Sequence, residues 1–341
     1  MQSTETKHEY DDSGKDAVGF GFASKDNKYV IEAQIAHQGE VNRARYMPQM
    51  WNIIASQTTS GEVHIFDYTK HAPKSEGADQ CKPELKLVGQ KKEGYGLSWN
   101  LNKKGSLLSS SNDGTVSLWD VENNAPQLYS TIEPVSKYED HVGSVEDVAW
   151  SKHDPDVFCS VGDDKRMLLW DTRKESKKPT HQIEAHFGEI LSVDFNPFKE
   201  YLLATASDDK TVAIWDTRKL QTKVCSLKQH QDQVTTVSWS PFNEAILASA
   251  SQDRRVFVWD LTRLGSKQTP EEAADGPPEL LFIHGGHTSK VTDISWNTNE
   301  DLVMASVAED NILQVWQIAG EIYYDEEPSE SQPESKPEKM K

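Results

Sequence analysis

Six segments of the chain end in nearly the same short pattern. They are HIFDY (64–68), SLWDV (117–121), LLWDT (168–172), AIWDT (213–217), FVWDL (257–261) and QVWQI (314–318). The aromatic anchors are Phe66, Trp119, Trp170, Trp215, Trp259 and Trp316, and the two shortest spacings between them are 45 and 44 residues. A period of about 40–45 residues that ends in Trp-Asp is typical of a four-stranded propeller blade. The sequence therefore predicts an all-β WD-repeat β-propeller with six complete repeats.

Polar residues recur at fixed positions inside each repeat. An aspartate stands six residues before the anchor, a serine or threonine stands four residues earlier, and a histidine lies near the start; Ser60 and Gln90 are exceptions. These groups and the indole N–H can form a closed hydrogen-bond relay when they are buried together. Such structural networks are predicted for His141, Ser160, Asp164 and Trp170; His186, Thr205, Asp209 and Trp215; His230, Ser249, Asp253 and Trp259; and His287, Ser306, Asp310 and Trp316.

The same regularity argues against a catalytic or metal site. The repeat histidines lie one to a blade, whereas zinc needs ligands that converge. Nine of the ten tryptophans occupy repeat positions, which favours a structural core over a stacking platform. The sequence contains no G-x-S-x-G, no P-loop and no nucleophilic Cys/His pair. We therefore expect no enzyme, no metal and no cofactor.

The charge balance limits the classes of partner. The chain has 36 Lys and Arg against 55 Asp and Glu, a formal net charge of −19. Such a surface repels nucleic-acid phosphates and anionic lipid, and it attracts basic proteins. The polar first residues do not resemble a secretory signal, and no apolar run approaches the ~18 residues that span a bilayer. Three widely spaced cysteines, Cys81, Cys159 and Cys225, indicate a reducing intracellular compartment. We expect no direct nucleic acid, membrane or small-molecule substrate.

The repeats and the flanking composition predict the domain organisation. Counting one outer strand and three following strands for each repeat gives 24 strands, within a propeller over residues 19–322. Residues 1–18 and 323–341 are acidic and lack apolar periodicity, so both are predicted to be disordered. An insertion loop over 265–278 explains the longest spacing between anchors.

Several longer phrases resemble one particular family. HQGEVNRARYMPQ (37–49), FDYTKH (66–71), KEGYGLSWN (92–100), DGPPELLFIHGGH (275–287) and EDNILQVWQIAGEIYYDEEP (309–328) are similar to the retinoblastoma-binding, histone-binding WD-repeat family. The resemblance covers about Gly19 to Pro328. It implies a seven-bladed propeller that escorts the H-three/H-four histone pair and is a shared subunit of chromatin assembly, deacetylase, remodelling and Polycomb complexes. It also implies the nucleus, and the cytoplasm as well if the protein escorts histones.

The beginning of the chain departs from this family. Family members carry a leading helix and several strands before the region that matches Gly19, and residues 1–18 show no helical apolar stripe. The sequence therefore predicts a relative of the seven-bladed propellers with an incomplete first blade. The strand near KYVIEAQIA (28–36) is either the remnant of that blade or the strand that pairs with the last blade and closes a ring of six. Without the helix, the groove on the side of the propeller is expected to be half a site.

The resemblance implies two histone-binding surfaces. In the family, the leading helix and an acidic loop that ends in Pro-Pro form a groove for a histone helix. The matching residues are Glu271, Glu272, Asp275, Pro277 and Pro278, and the alternative interpretation is a solvated acidic loop.

The second surface is the top face, where the family binds the first residues of a histone tail with an arginine near the central channel. The matching residues are Glu40, Asn42, Arg43, Glu93, Tyr95, Glu146 and Glu309. Converging carboxylates and an aromatic face suit a guanidinium, although ordinary exposed acids are the alternative in so acidic a chain. Leu191, Gln233 and Thr235 depart from the family pattern, which predicts weaker or differently selective tail binding.

Two Trp-Asp-x-Arg boxes favour an alternative function. They resemble those of substrate receptors of cullin–RING ubiquitin ligases, with docking carried by Asp171, Arg173, Asp216 and Arg218. The competing interpretation is that each arginine after the anchor only pairs with acids of its own blade.

Overall fold

The computed structural model describes residues 34–71, 81–123 and 130–323. Within these residues the strands form six separate sheets, in which neighbouring strands are antiparallel apart from one parallel pair in the first sheet. The first strands of successive sheets are neighbours, so the sheets are arranged as the blades of a propeller around these inner strands. The chain is an all-β, six-bladed propeller with almost no helix, and not the seven-bladed form that the family resemblance implies.

The first three blades take their strands in chain order, apart from one outer strand. Blade 1 contains β1 (Val41–Met47), β2 (Met50–Thr58), β3 (Val63–Asp67) and β4 (Leu85–Leu87). Blade 2 contains β5 (Leu97–Trp99), β6 (Ser106–Ser110), β7 (Val116–Asp120) and β9 (Ser136–Tyr138). Blade 3 contains β10 (Val145–Trp150), β11 (Val157–Gly162), β12 (Arg166–Asp171) and β13 (His181–Glu184). A further strand, β8 (Ser130–Ile132), pairs in parallel with β4 and adds a fifth strand to blade 1.

The last three blades follow the same order. Blade 4 contains β14 (Ile190–Phe195), β15 (Leu202–Ser207), β16 (Val212–Asp216) and β17 (Cys225–Leu227). Blade 5 contains β18 (Val234–Trp239), β19 (Ile246–Ser251), β20 (Val256–Asp260) and β21 (Leu280–His284). Blade 6 contains β22 (Val291–Trp296), β23 (Val303–Ala308) and β24 (Leu313–Gln317). Two single-turn helices, α1 (Glu272–Asp275) and α2 (Gly320–Tyr323), complete the regular structure of the described residues together with two short 3₁₀ turns.

Blade 6 has three strands in the part of the chain that the structure describes. The described ranges contain 24 strands, the number predicted, but the agreement is accidental because the extra strand β8 of blade 1 offsets the outer strand that blade 6 lacks in these ranges. Most of the predicted strand over 28–36 lies outside the described residues, and Gln34, Ile35 and Ala36 are not part of a strand. Whether that segment pairs with β24 therefore stays a prediction, as do the disordered ends predicted over 1–18 and 323–341, which lie almost entirely outside the description.

The second strand of a blade is buried on both faces because it lies between two neighbouring sheets. In β19, ILASAS, all six residues are buried, and the last four are small alanines and serines. Five apolar clusters lie between successive blades, from blades 1 and 2 to blades 5 and 6. Three of the four tryptophans that end inner strands donate to a carbonyl oxygen of the preceding blade: Trp99 Nε1 to Arg45 O at 3.0 Å, Trp239 Nε1 to Asp194 O at 3.2 Å and Trp296 Nε1 to Ser238 O at 3.2 Å. Close packing of this kind sets the angle between blades.

A chain of hydrogen bonds crosses the sheet of blade 4. The Trp215 indole N–H donates to Thr205 Oγ1 at 2.9 Å, Thr205 Oγ1 lies 2.8 Å from His186 Nε2, and His186 Nδ1 lies 3.0 Å from an Asp209 carboxylate oxygen. Burial lowers the pKa of His186, which keeps the imidazole neutral. Burial opposes ionisation of Asp209 as well, but the hydrogen bonds from His186 and Thr211 hold its pKa well below the usual range. The aspartate is thus the charged end of the relay.

The other blades vary this arrangement. Blades 3 and 5 repeat all of its bonds, through His141, Ser160, Asp164 and Trp170 and through His230, Ser249, Asp253 and Trp259. In blade 6, His287 Nδ1 is 3.5 Å from Asp310, so this link is an ion-pair contact longer than the others. In blade 2, Gln90 takes the place of histidine and contacts Ser109, which accepts from Trp119.

The relay aspartates also form the turn between the second and third strands. Asp164 Oδ1 accepts the N–H of Arg166 at 3.1 Å, two residues later, and the intervening Lys165 has φ of 63°. Lys210 and Arg254 occupy the same position with φ of 70° and 72°. A side chain in this left-handed region is strained, so the aspartate hydrogen bonds are what hold the turn. These turns project from one face of the propeller, which we call the top face.

The contact between blades 6 and 1 differs from the other five. Arg45 donates two hydrogen bonds to Asp293 of β22, at 3.0 and 3.3 Å, and Arg43 lies 3.6 Å from the same carboxylate. Among the described residues no buried apolar cluster joins these two blades. Tyr46, which occupies the inner-strand tryptophan position of blade 1, is 54% exposed. The ring is therefore closed at its inner strands by charged side chains.

Asp293→Ala should destabilise the propeller more than the loss of an ordinary surface acid. The change leaves Arg43 and Arg45 without their shared carboxylate at a partly buried position, and we expect a loss of about 2 kcal/mol in the free energy of unfolding, measured with urea. Glu244→Ala is the matched control, because Glu244 pairs with Lys199 where both side chains are 52% exposed. The control should lose about 0.5 kcal/mol or less. Equal losses would show that the ion pair does not hold the ring together.

Candidate protein-interaction site

The strongest electrostatic feature of the top face is a group of carboxylates from blades 3 and 4. Glu146 lies at the start of β10, Asp163 and Asp208 lie in the turns of blades 3 and 4, and Glu189 precedes β14. Glu146 and Asp163 are joined by a hydrogen bond between their side chains, and Glu189 interacts with both Asp163 and Asp208. We call these four residues the acidic cluster.

Burial and neighbouring carboxylates raise the pKa of two members of the acidic cluster, Glu146 and Glu189. Burial, followed by the charges of Asp163, Glu189 and Asp147, raises the pKa of Glu146 to about 7. Burial and the carboxylates of Asp163 and Asp208 also raise the pKa of Glu189. Like charges held this close disfavour their joint ionisation, so Glu146 is partly protonated near neutral pH. A cation placed here would relieve the repulsion.

Asp147 supports the cluster from below. Its buried carboxylate accepts from the backbone N–H of Val148 and Val193 and from Ser192 Oγ at 3.0 Å, so it ties the inner strand of blade 3 to that of blade 4. Burial raises the pKa of Asp147 although Arg43 and these hydrogen bonds favour its charge. The carboxylate is fully engaged and is not available to a ligand.

A second part of the site comes from blades 1 and 2. Asn42 Nδ2 donates to Glu93 Oε2 at 3.2 Å and to Gly94 O at 3.1 Å. Tyr95 is 37% exposed. Burial and the charges of Glu93, Glu146 and Glu40 raise the pKa of Tyr95, which shows that its ring stands among these carboxylates. An aromatic face surrounded by acids is suited to an arginine or lysine side chain.

The structure thus brings together five of the seven predicted top-face residues. Glu40, Asn42, Glu93, Tyr95 and Glu146 share one region. The other two have different surroundings. Arg43 is turned towards Asp293 across the ring closure, and Glu309 is exposed in the turn of blade 6, where its N–H donates to Lys290 O.

Sequence reasoning missed three members of the acidic cluster. Asp163 and Asp208 stand immediately before the relay aspartates of their blades, at the position that Glu309 occupies in blade 6. Glu189 follows its blade histidine by three residues, as Glu40 does. These shared repeat positions are a signal in the sequence, but the resemblance to the family indicates only Glu40, Glu93 and Glu309 among the residues that occupy them.

Blade 5 carries the neutral residues Gln233 and Thr235 at the positions that Glu93 and Tyr95 occupy in blade 2. Thr235 Oγ1 donates to carbonyl oxygens of Ala250 and Val291, at 3.2 and 2.8 Å, and Gln233 Oε1 accepts from Gln252 at 2.7 Å. These side chains are satisfied within the protein.

The predicted acidic loop folds against the outer strand of blade 5. Thr269 and Glu272 form a reciprocal pair, in which the Thr269 N–H donates to Glu272 Oε2 at 2.7 Å and the Glu272 N–H donates to Thr269 Oγ1 at 3.3 Å. This capping box starts the single turn of α1 inside the segment predicted as a loop. Gly276 follows the turn with φ of 141°, a conformation that favours glycine. A Cβ at this position would also lie 2.8 Å from Leu280 Cδ2.

A groove of about 510 Å³ lies between this loop and β21. Pro277, Pro278 and the side of β21 line it, and both acids (Glu272, Asp275) and bases (Arg263, Lys267) stand at its margin. Glu271 is exposed beside it. The groove is thus less acidic than the sequence predicts, because Arg263 and Lys267 come from the preceding chain segment.

The two Trp-Asp-x-Arg boxes adopt the same geometry on the opposite face. Arg173 and Arg218 each donate from two nitrogens to the aspartate two residues earlier, Asp171 or Asp216, at 2.7–2.9 Å. The hydrogen bonds from Arg218 lower the pKa of Asp216 to about 2. Both arginine side chains remain more than half exposed, at 57% and 61%.

Two further properties limit what the described residues can do. In residues 34–71, 81–123 and 130–323, no group of three His, Cys, Asp or Glu side chains is arranged to hold a metal ion. The helices of the same ranges are too short and too polar to cross a bilayer.

Comparison with known proteins supports the class of this fold. A family model described as the EIPR1 β-propeller matches residues 127–259, and the model of the WD domain, G-β repeat, matches residues 93–120 and 278–317. A chain from a solved structure titled "Crystal Structure of Mitotic Checkpoint Complex" is 19% identical, with a TM-score of 0.63 over 81% of this chain and 73% of that chain. Because 1523 chains of known structure match, the likeness identifies the fold and not a partner.

The chain therefore carries WD40 repeats in a β-propeller, a scaffold that serves protein–protein interaction in complexes. Neither comparison shows the retinoblastoma-binding, histone-binding family.

Glu146→Gln should stabilise the fold more at pH 8 than at pH 5. The folded pKa of Glu146, about 7, lies above its ordinary value of 4.5, so between these values the folded state keeps a proton that the unfolded state has lost. Wild-type stability therefore falls as the pH rises through this window. The advantage of Glu146→Gln should grow by about 1–2 kcal/mol between pH 5 and pH 8, with solvent screening keeping it below the full shift. Urea unfolding at both pH values measures it, and an advantage independent of pH would contradict the coupling.

Proposed function

We propose that this protein is a histone-binding chaperone and a scaffold subunit of chromatin assembly, remodelling, deacetylase and Polycomb-type complexes, and that it acts without catalysis. The observation that carries the proposal is the acidic cluster beside Tyr95 at the mouth of the channel. The partners would be the H-three/H-four histone pair and other subunits of those complexes, in the nucleus and during histone escort.

The chemistry of the top face suits a basic peptide. A guanidinium carries five donors and a permanent charge, so it can engage several of these carboxylates at once. Glu146 is partly protonated near pH 7, so a bound cation would favour loss of its proton. The cation would then be attracted by the negative charge of the ionised carboxylate. Tyr95 offers the aromatic face that is already available, and Thr235 offers none on the other side. Affinity would accordingly depend on charge more than on stacking.

The net charge of the whole chain adds long-range attraction. At −19, the protein steers basic partners towards itself and repels nucleic-acid phosphates. Association of this kind is fast at low ionic strength and weakens as salt rises, because the Debye length falls from about 30 Å at 0.01 M to 10 Å at 0.1 M.

The groove beside α1 is proposed as the second contact, for a helical histone segment. Its apolar side is β21, and its loop is stiffened by Pro277 and Pro278. Since Arg263 and Lys267 share the margin with Glu272 and Asp275, a helix of mixed charge would fit better than a uniformly basic one.

A histone-tail titration tests the first surface. Isothermal titration of an amino-terminal histone H-three peptide should show binding at 50 mM salt, several-fold weaker binding at 200 mM, and a loss of about tenfold or more in Glu146→Lys. Glu244→Lys makes the same charge change at an exposed position between β18 and β19, on the opposite face, and should bind nearly as the wild type does.

Two results would remove the proposal for the top face. One is the absence of binding to the wild type at 50 mM salt. The other is an equal loss in Glu146→Lys and Glu244→Lys, because that would mean that only the net charge of the protein matters.

The paired boxes on the opposite face support a second candidate, an adaptor of a cullin–RING ubiquitin ligase. Adjacent blades present Arg173 and Arg218 in matching geometry with more than half of each side chain exposed. The close pairing with Asp171 and Asp216 is equally what a purely structural role requires.

The double variant Arg173→Ala with Arg218→Ala separates these roles. If the boxes dock a ligase, co-precipitation of the ligase's adaptor subunit should be abolished, while the histone-tail affinity stays within about twofold because the top face is untouched. Retained co-precipitation would leave the arginines with a structural role only.

A further inference from the structure

Two apolar side chains project from the top face into water. Phe187 is 92% exposed and Val142 is 80% exposed, the highest values among the large hydrophobic residues that the structure describes. Both follow a blade histidine, His186 or His141, directly in the sequence. The corresponding residues of the other four repeats are polar: Gln38, Lys91, Gln231 and Thr288. Blades 3 and 4, which also supply the acidic cluster, are thus the exceptions.

The backbone under these side chains is fixed. The Val142 N–H donates to Asp164 at 3.1 Å, and the Phe187 N–H donates to Asp209 at 3.2 Å, so both residues are attached to the relay aspartates. Lys165 Nζ also donates to Phe187 O at 2.7 Å, which joins the turn of blade 3 to the loop of blade 4. A partner would not have to order this backbone, and only side-chain freedom would be lost on binding.

The apolar pair lies directly beside the acidic cluster. Gly143 follows Val142, and a Cβ on it would lie 3.1 Å from Asp163 Cβ. Gly188 follows Phe187, and a Cβ on it would collide with the Asp208 carboxylate. The chain therefore passes from each apolar residue straight into contact with an acid of the cluster. Exposed apolar groups next to convergent carboxylates are a mark of an interaction surface.

We propose that Phe187 and Val142 form an apolar step that makes the top face selective for a basic peptide with a bulky apolar side chain close to its arginine or lysine. The inference rests on the proposed function, because it assigns a sequence preference to the same basic-peptide surface. The cation enters the acidic cluster, and the apolar side chain packs against Phe187, with Val142 on the adjacent blade.

Charge decides between this occupant and the others. Nucleic acids and anionic membranes carry the same sign as Glu146, Asp163, Glu189 and Asp208, so the cluster repels them. A second copy of this chain would bring another net charge of −19 to the surface. A basic peptide is the occupant that satisfies the carboxylates and covers the apolar step at the same time.

The test uses two ten-residue probe peptides that differ at one position. Each contains two arginines, followed two positions later by leucine in one peptide and by serine in the other. The wild-type protein should bind the leucine peptide about tenfold more tightly, as expected for burying one apolar side chain in a contact. Phe187→Ser and the double variant Val142→Ser with Phe187→Ser should reduce this preference to less than twofold.

Phe198→Ser and Phe242→Ser are the matched controls. These phenylalanines are also exposed, at 45% and 40%, but they lie between the first and second strands of blades 4 and 5, on the opposite face. Neither change should alter the preference for leucine.

The outcomes separate the inference from the proposed function. A leucine preference that survives in the double variant, or equal affinity of both peptides for the wild type, overturns the apolar step while the basic-peptide surface stands. No binding of either peptide to the wild type at 50 mM salt overturns both. Dimerisation of the wild type in sedimentation experiments, lost in Phe187→Ser, would assign the step to a second copy of the chain and overturn the peptide proposal.

Discussion

The hydrogen-bonded relay from tryptophan to aspartate is the interaction on which the rest of the molecule depends. It links the third strand, the second strand and the loop before the first strand of one blade, as Trp215, Thr205, His186 and Asp209 do in blade 4. Its charged end then holds both a left-handed turn and the N–H of the residue after the histidine. Removal of any member would leave a buried polar group unsatisfied, which costs about 1–3 kcal/mol. The relay is therefore a structural core and also the support of the top face.

The top face combines this rigid support with unfavourable local electrostatics. Acids from separate blades are held close enough that Glu146 titrates near neutral pH, while Phe187 projects into water. Neither feature stabilises the isolated propeller. Both become favourable when a cation and an apolar group cover them, which is the reason that we assign this face to a partner. The opposite face differs, because Arg173 and Arg218 already have their carboxylates.

The contact between blades 6 and 1, which closes the ring, differs from the contacts between the other neighbouring blades. In the part of the chain that the structure describes, five interfaces between blades hold apolar clusters, and the sixth holds the ion pair of Arg43 and Arg45 with Asp293. Ion pairs need defined geometry but contribute less than a packed core. Within the described ranges Tyr46 is 54% exposed, Leu313 42% and Val315 41%. The strength of the closure thus depends on side chains that no other blade uses.

The sequence by itself determined the repeating part of the protein. A 44- to 45-residue spacing of Trp-Asp, with histidine, hydroxyl and aspartate in fixed register, is enough to predict the blades and the relay, because these contacts lie within one repeat. The Thr269–Glu272 capping box is equally local, although only a loop is predicted from the sequence at this segment. Only the tertiary structure decided that Glu146, Asp163, Glu189 and Asp208 form one cluster, and that Arg43 turns to Asp293, 250 residues away. Such contacts join different repeats, so their partners depend on the number of blades and on the angle between neighbouring blades. Packing between the blades determines both quantities, and neither can be read from the sequence of a single repeat.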